Sequence, residues 1–561
     1  MAGFFVLLIL LLTPYYLQFI GYESATEVTQ EEKAEEPVVE EKLQQEPSSF
    51  SPVPPTGQGV SVLETTFSVE SPLYQATVST VGGGSFQNYV LVQDGTNKYL
   101  GGYTDQGLYQ DSINVSLILN KEKQCAPCVG VVYDGISEVL NSPFTIKSNS
   151  ALGLDGALLI NSGDSVVIEM EYKDSRFIIH KNTTFLGGSF ATEHMIKAQD
   201  IGGQLEQLFL VWDKGLRNTE KNLYDDVQTY SAAYISYNKE VEDLWFAPSS
   251  VNEKTSPISY NGAIDWAAIR TKYFIASFVP READLAVVDG EPYMLNNSEV
   301  VPSYSAAVFS SKKTLNSTLY VGPLDIDHVG KLNTSLDRIM NFGWFIIQPF
   351  SRGVLWLLKA LHSFGLNYGV ILILFAFLIR IVTGPLMKKS FESSQNMQTV
   401  QPKLKKLQEK YKNDSQKLNQ EMVKLYKEEG VNPLGGCLPM LLQMPLLFSL
   451  FLVFRSTIEF RGAPFFGWIS NLAQPDTIFY LPFNIPIYGD QVAFLPILLG
   501  ISMFLTQKMS MASMDSQQKP MMYIMSAFFF LLFNSFPSGL NLYYLVYNIL
   551  NYMQQKSLKK A

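Results

Sequence analysis

A chain of 561 residues with 47% hydrophobic and 17% charged residues is too apolar for one ordinary soluble domain and too charged to lie wholly within a membrane, so two regimes are expected. The formal charge of −10 says little about partners of the folded parts, because residues 22–56 alone hold nine Glu against two Lys, a net −7.

Met1 to Ile20 is an apolar run interrupted by Thr13-Pro14 and Gln18. It lacks a basic start and a small-x-small cleavage site, so residues 1–21 are expected to form an uncleaved transmembrane anchor rather than a cleaved signal. Residues 22–56, acidic and then Pro/Ser-rich, can bury nothing and are expected to be a disordered linker. From residue 57 to Asn333 short alternating runs rich in Val, Thr, Tyr and Phe are broken by Gly, Asn, Asp and Pro. Val60 to Phe67, Tyr74 to Val81, Ser165 to Tyr172, Phe177 to Thr183, Lys272 to Val279 and Thr318 to Val321 read as strands, and 57–333 as one large β-sandwich.

That domain shows no catalytic signature. His180, His194 and His328 lack metal-ligand spacing, and Gly82-Gly83-Gly84 reads as a turn rather than a nucleotide loop. Cys125-Ala126-Pro127-Cys128 is read as a local disulfide in an oxidising compartment. Free thiols or an adventitious metal, and an oxidoreductase site, are the alternatives. Cys437 falls in a membrane segment and reads as inert packing.

Leu336 to His362 mixes Trp344, Phe345, Phe350, Trp356 and Leu357 with Arg338, Arg352 and Lys359, which suits an amphipathic helix lying in the membrane interface. Spans then follow at 369–387, 433–454, 492–507, 520–536 and 539–553; with the anchor, six are expected. The segment Gly369 to Met387 rises ~28 Å as a helix, and its one charge, Arg380, sits near mid-depth, where an isolated charge costs from roughly 3 to more than 10 kcal/mol. The other spans hold no Asp or Glu in their interiors, but they do carry Gln443, Gln507, Asn541, Tyr544 and Asn548. A solvated polar groove around Arg380 is therefore preferred to a purely structural arginine.

Between the first two of these spans, Met397, Val400, Leu404, Leu407 and Tyr411 are spaced 3, 4, 3, 4, and Leu418, Met422 and Leu425 continue the rhythm after Asn413-Asp414. This is the seam of an antiparallel two-helix hairpin over 388–430. The hairpin holds ten lysines, and Lys508, Lys519, Lys556, Lys559 and Lys560 flank later spans, whereas 455–491 holds only Arg455 and Arg461. The lysine-rich side faces the cytoplasm, with both termini, and the β-domain faces outward. The last three spans are short, roughly 23–26 Å of helix against ~30 Å of hydrocarbon, which favours local thinning of the bilayer. Met509, Met511 and Met514 offer an adaptable apolar surface or simple loop packing.

Val431-Asn432-Pro433-Leu434-Gly435-Gly436-Cys437-Leu438-Pro439, Leu442-Gln443-Met444-Pro445, Gln507-Lys508-Met509 and Phe536-Pro537-Ser538-Gly539-Leu540 with Tyr543-Tyr544 resemble the signature of the YidC-type membrane protein insertases. Trp266 to Phe274 and Tyr320-Val321-Gly322-Pro323 resemble the external domain of the bacterial members. The resemblance implies a multi-pass helical protein of the bacterial inner membrane, with a periplasmic domain of galactose-mutarotase-like super-sandwich fold, a five-helix insertase core over 334–561 and a cytoplasmic helical hairpin. It implies an insertase and chaperone, not an enzyme, needing no cofactor or metal and binding no nucleic acid directly. Its partners would be nascent membrane proteins, lipid, the Sec translocon and the ribosome/signal recognition particle machinery, although the tail after Met553 lacks the long basic extension some members carry. The family's groove arginine falls on Arg380 and one of its tyrosines on Tyr544, and the substrate groove is expected from Arg380, Gln443, Met444, Gln507, Asn541 and Tyr544. Many members carry a polar residue where this chain has Ala376. Two other classes compete: a solute transporter, for which no internal repeat is visible, and a membrane-tethered carbohydrate enzyme or lectin, for which no acid–base pair stands out. Since every insertion element lies after Asn333, the β-domain is expected to be largely dispensable.

Overall fold

The computed structural model describes residues 63–119, 124–147, 156–296, 299–412, 414–431, 438–486, 488–510 and 519–560. The expected anchor and linker, Cys437, and most of the methionine-rich loop lie outside the described residues.

Alternation of apolar and polar side chains builds the β-domain. Along Phe177–Leu186 the odd positions point inward and the even ones outward, and this strand pairs antiparallel with Ser165–Lys173 on one side and Ala191–Asp200 on the other. These belong to a nine-stranded sheet whose centre is completed by Thr314–Pro323, Phe274–Pro280 and Trp266–Arg270. A six-stranded sheet centred on Val300–Ser310 and Leu205–Trp212 shares one hydrophobic core with it, as expected for a sandwich. A smaller sheet of four strands contains the parallel pair Thr66–Glu70 and Ala157–Leu159. Gly82, Gly83 and Gly84 all have positive φ in a turn, and a Cβ on Gly83 would press on Lys181 and Phe144.

The helices are α1 (Leu223–Thr229), α2 (Ile326–Val329), α3 (Gln348–His362), α4 (Tyr368–Lys410), α5 (Ser415–Glu428), α6 (Leu438–Ser456), α7 (Phe494–Ser510), α8 (Lys519–Phe533) and α9 (Ser538–Lys560). The interface helix expected from Leu336 starts only at Gln348. Pro349 in its first turn suits a helix start, and the preceding stretch is held by the β-domain: Trp266 donates to the Ser335 hydroxyl at 3.1 Å, Arg270 to the Ile339 carbonyl at 2.5 Å, and Leu336 and Ile339 are buried. α3 itself is amphipathic, with Trp356 exposed opposite the buried Val354, Leu355 and Leu358, and Phe350 exposed in its first turn.

The first span and the first arm of the hairpin, read as separate elements, form one continuous helix, α4, which passes through Pro385 and Pro402. Among the described residues only the stretch 368–397 is both long and apolar enough to cross a bilayer unaided; the apolar helices 443–456 and 494–508 are shorter. A β-hairpin unforeseen in the sequence, Thr477–Ile485 paired with Gly489–Ala493, occupies the end of the 455–491 loop and takes the first two residues expected in the third span.

Candidate functional site

The site starts from Arg380 on α4. Its side chain is buried, 8% exposed, although Ile381 and Val382 beside it are at least 70% exposed and mark the open flank of the helix. One guanidinium nitrogen donates to the Gln554 carbonyl oxygen, whose own amide donates to the Gly384 carbonyl at 3.3 Å. The guanidinium carbon lies 5.7 Å from the centre of the Tyr547 ring. Among the described residues the other two guanidinium nitrogens, Nε and Nη1, have no hydrogen-bond partner. The Tyr547 hydroxyl faces the guanidinium and Gln443 on α6 faces the Tyr543 and Tyr544 hydroxyls, in each case too loosely to complete a hydrogen bond, so that among the described residues the Gln443 amide nitrogen and the three hydroxyls are left unsatisfied. So many unsatisfied polar atoms in one place describe a cluster built to meet water or a polar ligand.

The cluster is asymmetric along the axis of α4. An open cavity of about 520 Å³ runs from Arg380 past Ile381, Gly384, Pro385 and Lys388 to Leu550 and Gln554, toward the hairpin. In the other direction Phe375 packs on Tyr543 at 5.5 Å, and Ile371, Leu372, Phe454, Phe460 and Leu540 are fully buried. The site is open toward the hairpin and closed by packed apolar side chains toward the β-domain.

Of the residues expected in the groove, the structure brings Arg380, Gln443 and Tyr544 to this cluster, and Met444 follows half-buried on α6. Gln507 instead accepts from the Ser526 hydroxyl across α7 and α8. Asn541 is fully buried, and its amide donates to the Phe533 and Phe536 carbonyls at 3.1 and 3.3 Å, closing the end of α8. Tyr543, Tyr547 and Gln554 were missed. The heptad step from Tyr547 to Gln554 on α9 was the available signal, obscured by ending that span at Met553.

Along the hairpin Val400 is buried, and Met397, Leu404, Leu407, Tyr411, Leu418, Met422 and Leu425 are half-buried. Asp414 caps α5 by accepting from the Lys417 amide at 3.0 Å, and Lys403 pairs with Glu429 at 2.5 Å. In the β-domain, Cys125 and Cys128 are joined in a disulfide.

Arg455 and Arg461, which entered the sequence reading only as sparse charge, join the helical core to the β-domain. Arg461 is 3% exposed and uses all five N–H groups: on Glu220 at 2.7 Å and on the carbonyls of Lys98, Leu100, Gly101 and Thr219 at 2.5–3.0 Å. Arg455 pairs with Asp225, which also accepts from Lys272 at 2.9 Å. Burial pushes the Asp225 carboxyl up, but Lys272 and Arg455 outweigh it and hold it at about 2. Lys359 on α3 adds a bridge to Asp327 at 2.6 Å and Glu459 at 3.1 Å.

Comparison with known proteins agrees with this architecture. Residues 360–561 match the family described as 60Kd inner membrane protein, and residues 154–357 match the YidC periplasmic domain. The membrane protein insertase YidC of Chlorobium luteolum is 36% identical over 523 residues, covering 90% of this chain and 84% of that protein. Its counterpart from Prosthecochloris aestuarii is 39% identical over 390 residues, 67% of this chain and 65% of that protein. A solved structure of an active YidC insertase with its first transmembrane domain resolved aligns over 89% of this chain and 94% of its own at 17% identity, with a TM-score of 0.34, too low to argue from. On the sequence relatives and the two matched domains, the chain belongs to the YidC family of membrane protein insertases of the bacterial inner membrane.

Proposed function

We propose that this insertase works by partition through the Arg380 groove. The α4–α5 hairpin captures a nascent apolar segment at the cytoplasmic face, the short hydrophilic tail enters the wet cavity beside Arg380, and the apolar segment leaves sideways into lipid along the exposed flank of α4. The carrying observation is Arg380 itself, buried yet with two donors unpartnered among the described residues and a cavity opening toward Lys388. Six spans, with both termini cytoplasmic, complete the topology. Burial of apolar surface at ~25 cal/mol per Å², with the membrane potential acting on an acidic tail, supplies the driving force without nucleotide hydrolysis. The short helices α7 and α8, roughly 25 and 22 Å long, support a locally thinned bilayer that lowers the crossing cost. Cooperation with the Sec translocon, and delivery by the ribosome and signal recognition particle, fit the same cytoplasmic entry.

The test pairs acidic-tail and neutral-tail substrates on Arg380→Lys, Arg380→Ala and Arg380→Glu. Lysine keeps the charge and should retain much activity; glutamate should hurt acidic tails most, since the attraction is strongest where the dielectric is low. Cysteines at positions 380, 443 and 544 should react with aqueous thiol reagents from the cytoplasmic side. Equal insertion of acidic tails by Arg380→Glu, or failure of those positions to label, overturns the groove.

A further inference from the structure

The hairpin Thr477–Ile485/Gly489–Ala493 has no place in that mechanism, and its surface is unlike that of a periplasmic loop. Ile478, Phe479, Tyr480 and Phe483 are 49%, 51%, 61% and 60% exposed, so odd and even positions, and hence both faces of the strand, present large apolar groups. Residues 477–493 contain one charge, Asp490. At half exposure each of these side chains shows roughly 100 Å², giving a patch of several hundred Å² that soluble surfaces seldom present without a partner. An isolated two-stranded hairpin is moreover marginal in water.

Its position in the fold says what covers it. The Asn534 amide, at the end of α8, donates to the carbonyls of Tyr488 and Gln491 at 2.8 and 2.6 Å, and its oxygen accepts from the Ala493 amide at 3.0 Å. Tyr488 packs on Phe530 at 6.1 Å, one turn inside the end of α8, so the turn of the hairpin folds back alongside the apolar helix instead of projecting away from it. α7 begins at Phe494, directly after the second strand, and Trp468 packs on Phe494 at 4.9 Å. The hairpin thus continues the lipid-facing surface of α7 and α8 on the β-domain side. Pro482 and Pro486 remove two amide donors from the pair, but the carbonyls and remaining amides of its open edges still need water or headgroups, which suits a strand pair at headgroup level rather than in hydrocarbon.

We propose that this hairpin is a lipid-binding element, a wedge seated at headgroup depth in the outer leaflet around α7 and α8. The inference stands apart from the Arg380 mechanism and can fail without it.

The test uses the full-length protein with Cys437→Ser and a single new cysteine, Phe479→Cys or Phe483→Cys, labelled without reductant with an environment-sensitive fluorophore. It is reconstituted in phosphatidylcholine/phosphatidylglycerol vesicles; Asn252→Cys, on the exposed surface of the β-domain, is the aqueous control. Labels at 479 and 483 should emit to the blue of the control and be quenched several-fold more by nitroxides near the lipid headgroup than by nitroxides deep in the chains or by aqueous iodide. Quenching by iodide to the level of position 252 overturns the proposal. So does shielding from both quenchers that is lost when the protein-to-lipid ratio is lowered, which would mean that a second copy covers the hairpin.

Discussion

Replacing Arg461 by alanine tests whether the β-domain is a passive appendage or part of the working core. The substitution leaves Glu220 buried without its partner and removes hydrogen bonds to four carbonyls. Breaking a buried ion pair from one side costs about 3–5 kcal/mol, and water entering the vacated space can re-solvate some of the carbonyls, so the ion pair sets the scale. At about 2–4 °C per kcal/mol for domains of 150–250 residues, the first thermal transition of the purified protein should fall by roughly 10 °C. Arg461→Lys should recover only part of this, since an ammonium offers three donors where five are used. Glu220→Gln combined with Arg461→Ala should lose less than the sum of the two single variants, by about 1–3 kcal/mol. An unchanged transition and unchanged protease nicking between the β-domain and α3 in Arg461→Ala would refute the buried-joint reasoning. The same joint bears on dispensability: removing residues 70–300 takes away Glu220, Asp225 and Lys272 and strands Arg461 and Arg455. Such a deletion should insert poorly unless both arginines are replaced as well.

Gln554→Glu puts a carboxylate against Arg380; insertion of acidic tails should drop several-fold while neutral tails are spared, and equal loss of both would show that Gln554 acts only through packing. Leu404→Asp places a charge in the hairpin seam and should collapse insertion while the protein itself still integrates, as read by membrane extraction and protease protection. Lys181 is fully buried with no partner for its amine among the described residues, and burial pulls its pKa down from 10.5 to about 7. The native state then binds fewer protons than the unfolded chain between these values, so the penalty is complete below pH 7 and vanishes as pH rises through 10.5. At about 1.4 kcal/mol per tenfold, its ceiling is roughly 5 kcal/mol. Lys181→Met should raise the β-domain melting temperature at pH 7 and flatten its rise toward pH 10; a lower melting temperature in the variant would sink this reading.

What could be read from the sequence was what a local pattern encodes. Gly369 to Met387 with Arg380, the 3-4 seam from Met397 to Leu425 and the alternating strands each follow from the spacing of neighbours along one element. Pairings across long stretches of chain leave no such trace: Arg461 meets Glu220 over 241 residues and Arg455 meets Asp225 over 230. Lys181 lies in an alternating strand that places it inward, yet nothing in that alternation says its amine lacks a partner. The aromatic hairpin was hidden by its own apolarity, because Val492 and Ala493 blend into the helix that follows.

The 43 residues of α4 form a rod of about 64 Å that begins beside the β-domain, carries Arg380 partway along and ends at the hairpin tip. Pro385, five residues beyond the arginine, removes one backbone hydrogen bond and is the natural point for the rod to flex. From there to Lys410 the lever arm is about 38 Å, so a change of about 10° in bend moves the tip by ~7 Å while the arginine end stays seated. A small rearrangement where the cavity lies is thereby geared up into a displacement larger than the width of a helix backbone, about 4.6 Å between opposite Cα atoms. On the mechanism proposed above, engagement of a chain at the tip and admission of its tail beside the arginine would be two ends of one mechanical stroke.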